Sequence, residues 1–180
     1  AVRVEGPLVK DIYDSVAHVW SRAARTRLQV CWNRCGDDRA PVIEPRGRMR
    51  SAFLARDNIL HRRDIEDAYL RAIKQAEFDI IIANAFFFPG LNFRHALLDA
   101  AGRGVRVVLL LQGKVEHRLL HYASHALYGD FLDGDIEIYE YHKSLMHAKV
   151  AVIDEYWATV GSSNLDPFSL LLSLEANVVV

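Results

Sequence analysis

Short apolar runs of strand length, separated by stretches of helical spacing, constrain the fold of this chain more than any other feature. Phe78–Asn84 and Val105–Leu111 are nearly continuous apolar runs, as expected of strands buried within a sheet. Between them a helix is expected over about Phe93–Arg103. It should stop at Gly104, because a residue without a Cβ suits a helix C-terminus. Arg62–Glu77 reads as another helix, with Ile65, Tyr69, Ala72, Ile73 and Ala76 on one side. A helix near His117–Leu132 and strands at Met49–Ala55, Asp135–Tyr141, Val150–Ile153, Tyr156–Val160 and Ser173–Val180 complete the series. This alternation predicts an α/β protein, with a sheet layered between helices.

Toward the N-terminus, Ala1–Glu5 alternates like a strand and Pro7 can open a helix carrying Leu8, Ile12, Val16, Val19 and Trp20. Residues 21–47 are rich in Arg, Gly, Pro and Asp and read as a linker. Eight arginines in residues 21–50 face only Asp37, Asp38 and Glu44, whereas residues 51–180 are net acidic. The basic stretch is either a solvated linker or a surface for anionic lipid. The acidic balance of the remainder argues against nucleic acid as a partner, which needs a basic footprint. Cys31 and Cys35 fit neither a redox pair nor a four-ligand zinc site, so two free thiols are expected. The apolar stretch Ile80–Leu91 is too short for a membrane span, which takes about 20 residues.

The chemistry concentrates in one run: His147-Ala-Lys149, then Asp154, then Gly161-Ser162-Ser163-Asn164. On a strand, positions two apart share a face, so His147 and Lys149 are expected side by side. A nucleophilic imidazole beside a fixed cation suits attack at phosphorus, where charge builds on the phosphoryl oxygens. Alone, such a pair would more often be solvent-facing. Here it adjoins an apolar run expected to be buried on both faces, and polar groups at strand ends are where open α/β sheets hold ligands.

The run resembles the HKD signature of the phospholipase D superfamily: His-x-Lys, four residues, Asp, six residues, Gly-Ser-x-Asn. Within it the chain is similar to bacterial cardiolipin synthases, those of the B type in particular. Ala1–Pro7, Ile81–Gly90 and Trp157–Pro167 carry that likeness. The resemblance implies a phospholipase D-like mixed sheet between layers of helices, one C-terminal half of a two-half architecture. Residues 1–24 would be the tail of the first half and 25–45 an Arg-rich linker. Residues 46–180 would form the second half, truncated at its C-terminus.

The resemblance also implies roles. His147 is the nucleophile or the acid/base, Lys149 neutralises phosphate oxygens, and Ser162 and Asn164 donate hydrogen bonds to them. Ser163 occupies the variable position. Glu175 would hold the other nitrogen of the histidine and fix its tautomer; otherwise it is an edge-strand charge. Asp154 belongs to the catalytic motif but lies near a turn, where it should order structure. Phe168 stands where many cardiolipin synthases carry Arg. No metal or other cofactor is implied.

Of eight histidines only His147 is followed by Lys two positions on, whereas the superfamily site uses two such motifs. The expected partner is a missing first HKD half or a second copy of the chain. The function implied is a phosphatidyltransferase making cardiolipin from phosphatidylglycerol through a phosphatidyl-histidine. It would act peripherally on the cytoplasmic side of a bacterial inner membrane. The alternatives are a phosphodiesterase or nuclease of the same superfamily, or a non-catalytic lipid-binding piece. Phe86-Phe87-Phe88 is expected either to line the mouth of the site or to pack in the core. His117, His121 and His125 share one helical face, expected to be surface or interface and not a metal site.

Overall fold

A computed structural model describes residues 2–26, 44–57, 59, 61–115 and 118–180, leaving out the side chains of residues 24–26, 120, 168 and 171. Cys31, Cys35, most of the Arg-rich stretch and His117 therefore lie outside the described residues. The chain divides into two compact units, Ala1–Phe53 and Leu54–Val180.

In the first unit, helix α1 spans Leu8–Thr26. It runs several residues into the segment expected to be linker. Residues 2–5 form no strand despite their alternation. A period-two pattern specifies a strand only where a neighbour completes its hydrogen bonds.

The second unit is built on a sheet in the order β1-β7-β6-β5-β2-β3-β4. These strands are β1 Ala52–Arg56, β2 Asp79–Asn84, β3 Arg106–Gln112, β4 Glu137–Tyr141, β5 Lys149–Ile153, β6 Trp157–Gly161 and β7 Glu175–Val179. Strands β2, β3 and β4 run parallel, while β5, β6 and β7 pair antiparallel in turn. Parallel neighbours need crossovers. Helix α3, Leu91–Gly102, supplies the first. Its end is closed by Gly104 at φ +90, as Gly104 was expected to do. The second contains α4, Arg118–His125, and α5, Tyr128–Asp133. One helix was expected there, but the chain turns at Ala126–Leu127 and so drives Leu127 and Phe131 into the core.

Helix α2, Asp64–Gln75, has Asp64, Glu66 and Asp67 in its first turn and Lys74 in its last, matching the helix dipole. Its Ile65, Tyr69 and Ile73 join Phe93 and Leu97 of α3 over Ile80, Ile82, Val107, Leu109, Ala151 and Ile153. Strand alternation places these sheet residues on one face. On the other face Ile81 and Val152 pair in register and are 40% and 39% exposed. The expectation that the motif strand is buried on both faces therefore fails at Val152. A five-residue helix, α6, Pro167–Leu171, follows the Ser-Ser-Asn segment. It was not foreseen, because too few residues are involved to show a helical period.

Candidate active site

The topology brings the functional residues to one edge of the sheet. Strands β2 and β3 end there, at Asn84 and Gln112. Because β5 is antiparallel to β2, it begins there, at Lys149; β6 ends there and β7 begins there. His147, Lys149, Ser162, Ser163, Asn164 and Glu175 thus share an edge although 28 positions separate the first from the last.

His147 is not itself in the strand, as its spacing from Lys149 had implied. The β2–β5 ladder stops at the pair Asn84↔Lys149, with one further bond from the Ala85 amide to the Ala148 carbonyl. Beyond that, no partner strand remains to hold His147. It is exposed, whereas Lys149 is 5% exposed. Lys149 reaches back and its Nζ donates to the His147 carbonyl at 3.3 Å. The imidazole makes no hydrogen bond among the described residues, so it is open to a ligand.

Ser162, Ser163 and Asn164 follow β6. The Ser162 hydroxyl donates to Glu175 Oε2 and accepts the Ala176 amide at 3.1 Å. Ser163 is fully buried; its amide donates to Asn177 Oδ1 at 3.4 Å and its hydroxyl to the Asn164 carbonyl at 3.2 Å. The Asn164 amide donates to Ser169 Oγ at 3.4 Å. Gly161 admits this arrangement, since a Cβ there would collide with Asn177 Oδ1 and the Ala176 carbonyl.

The implied contact between Glu175 and His147 is not formed; Glu175 is joined to Ser162. The sheet order gives the reason. Strand β6 lies between β7 and β5, so Glu175 starts a strand roughly 10 Å from β5. Asp154 is farther away. It sits at the other end of β5, roughly 20 Å from His147 along an extended chain. Its carboxylate accepts the amides of Glu77, Phe78 and Asp79 at 2.7–2.8 Å. Burial opposes its charge, but these three donors outweigh that and hold the carboxyl below its usual range.

Two residues of the site carried no chemical signal in the sequence. Asn84 is fully buried and stands opposite Lys149 in register. Its Oδ1 accepts the amides of Phe86 and Leu165, at 3.3 and 3.4 Å, and so fastens the Ser-Ser-Asn segment to β2. Asn177 does the same from β7, donating also to Thr159 Oγ1 at 3.1 Å. A polar residue within or ending an apolar run was the available signal. Phe87 is a core residue, 3% exposed, packed on Phe131, and Phe88 packs against the same core.

A small pocket beside this edge is lined by Phe86, Gln112, Lys114, His121, His125 and Tyr128, among others. Glu140 lies 2.9 Å from His125 Nε2 and is hydrogen-bonded by His142 at 3.1 Å and by the Tyr128 hydroxyl, which donates at 3.0 Å. Burial, then this bond, push the Tyr128 hydroxyl pKa up. The His121 and His125 rings pack at a tilt of 47° with centres 4.1 Å apart. Among the described residues no three His, Cys, Asp or Glu side chains are placed to hold a metal.

A parallel core with antiparallel motif strands, ending in His147, Lys149 and Asn164, defines a phospholipase D-like domain. The solved structure of Nuc, a phospholipase D family member from Salmonella typhimurium, superposes with a TM-score of 0.60 at 22% identity. It covers 72% of this chain and 81% of Nuc. Phosphatidylserine synthase of Haemophilus influenzae superposes with a TM-score of 0.56 at 14% identity, over 72% of this chain and 34% of that one. These likenesses concern the fold. Residues 69–180 match the family described as cardiolipin synthase, PLD-like domain, and the chain belongs to that family. It is 42% identical over its whole length to cardiolipin synthase B of Escherichia coli K12, and it spans 43% of that relative.

Proposed function

We propose that this chain is the C-terminal, motif-bearing half of a cardiolipin synthase-type phosphatidyltransferase that uses phosphatidylglycerol. One observation carries the reading: an exposed imidazole, a nearly buried lysine and the Ser162–Asn164 segment meet at one sheet edge. Attack by an imidazole nitrogen on the lipid phosphorus forms a P–N bond and breaks the P–O bond to the departing glycerol. A second imidazole gives that glycerol oxygen its proton. The hydroxyl of a second phosphatidylglycerol then attacks phosphorus, loses its proton to the same base, and releases the first imidazole. Lys149 and Asn164 stabilise charge on the phosphoryl oxygens throughout. His147 supplies one of the two imidazoles, and the other comes from a first half or a second copy. Glu175 accepts the hydrogen bond of the Ser162 hydroxyl and so anchors the Ser162–Asn164 segment that presents Asn164 to those oxygens. The domain would work peripherally on the cytoplasmic side of a bacterial inner membrane.

The test is phosphatidyl transfer between phosphatidylglycerol molecules in vesicles, by the full-length protein and by its His147→Ala variant. Loss of transfer with an unchanged circular dichroism spectrum is expected; residual activity above about a tenth would overturn the assignment. The 180-residue chain alone should turn over little as a monomer. Activity that rises with dimer population would assign the second imidazole to another copy.

A further inference from the structure

The segments after β3 and β4 lie side by side at the active-site edge. The Gly113 amide donates to the Tyr141 carbonyl at 3.1 Å, and Lys114 Nζ to the Lys143 carbonyl at 3.3 Å. Gln112 ties both to the site. With its oxygen accepting the Met146 amide at 2.9 Å, its nitrogen donates to the Tyr141 carbonyl at 3.3 Å. From this platform Val115, Leu119, Tyr122 and Leu145 project with 55%, 87%, 68% and 61% of their surface exposed.

Among the described side chains of α4, Ser124 and His125 turn inward, with the Ser124 hydroxyl donating to the Phe87 carbonyl at 2.5 Å. Leu119 and Tyr122, three apart and so on one face, turn outward. A single exposed leucine needs no explanation, but an apolar face turned to solvent beside a catalytic edge does. The described charged residues nearest Val115, Leu119, Tyr122 and Leu145 in the chain are Lys114, Arg118 and Lys143, all exposed and all basic; Glu116 lies outside the described residues. The nearby Glu140 is hydrogen-bonded by His142 and Tyr128.

We propose that this face docks on an anionic phospholipid bilayer and seats the His147 edge at headgroup depth. The proposal rests on the phospholipid reading above. Apolar side chains dipping past a ring of Lys and Arg are what an interfacial helix presents to acidic lipid, and tyrosine suits the boundary. No described helix is long and apolar enough to cross a membrane. A protein partner is disfavoured, because four apolar side chains fall far short of the roughly 20–30 residues a side of a specific protein interface.

The test is co-sedimentation of the chain with vesicles of phosphatidylglycerol or of phosphatidylcholine, with mass measured by light scattering. The wild-type chain should bind phosphatidylglycerol and much less phosphatidylcholine. Leu119→Glu combined with Leu145→Glu should weaken binding about 100-fold, near tenfold for each leucine withdrawn from lipid. Tyr156→Glu, at the other end of the sheet, should bind as wild type. Equal binding by the double variant, or none by the wild type, would overturn the proposal. So would a wild-type dimer that the double variant makes monomeric, since a second copy would then occupy the face. His147→Ala should bind vesicles normally. If it also kept transfer activity, the catalytic reading would fall while the docking result stood.

Discussion

The two ends of strand β5 treat their polar side chains in opposite ways. At one end, Asp154 is saturated by three backbone donors from the start of β2. At the other, the His147 imidazole has no hydrogen-bond partner among the described residues, and Asn164 Oδ1 is buried without one. Both ends belong to one motif only seven residues apart. A satisfied carboxylate locks a turn and stabilises the fold, whereas a buried amide oxygen without a partner is a cost until a ligand or water meets it. The motif thus couples a structural clamp at one edge to the proposed site at the other.

If that division holds, substitutions at the two ends should move different observables. The largest effect is expected for His147→Ala: loss of transfer by about 10²–10⁴-fold or more in the full-length protein, with an unchanged melting temperature. Lys149→Met should cost about 10²–10³-fold in kcat by removing one stabiliser of transition-state charge. Its lipid binding, measured by co-sedimentation, should barely change. Glu175→Gln should be milder, about tenfold in rate, because it acts through Ser162; a hundredfold loss would restore a direct role at the histidine.

Asp154→Asn should reverse the pattern. It should destabilise the fold by about 2–3 kcal/mol in urea unfolding, because an amide cannot accept all three amides as the carboxylate does. Transfer per folded molecule should be unchanged. The wild-type contribution should also depend on pH. The folded carboxyl titrates below its ordinary 3.8, so the stabilisation is complete above that value and is lost as pH falls through the lowered one. The variant should lack that acid-linked loss. The smallest effect concerns its neighbour. Asp154 and Glu155 both have positive φ, +50 and +58, in the three-residue connection between Ile153 and Trp157, a left-handed backbone that favours glycine. Glu155→Gly should stabilise by about 1 kcal/mol, read as a higher urea midpoint.

Much of this division was legible beforehand. The apolar runs located β2, β3, β5 and β6, and Gly104 marked the end of α3, because burial and left-handed backbone leave local traces. The spacing from His147 to Asn164 located one edge of the sheet, and Asp154 could be placed near a turn. The break at Ala126–Leu127 left no such trace, nor did α6, since each is set by what packs beneath it. The partner of Glu175 was also hidden. Eleven residues after Asn164 says nothing about which strand lies between β7 and β5.

By itself, then, the sequence determined the alternating elements and the single His-x-Lys pair, because periodicity and residue type act locally. Only the tertiary structure decided that Asn84 lies opposite Lys149, that Glu175 addresses Ser162, and that Leu119 and Tyr122 of α4 face outward. Those facts follow from strand order and register, which are fixed by contacts between residues remote in the chain.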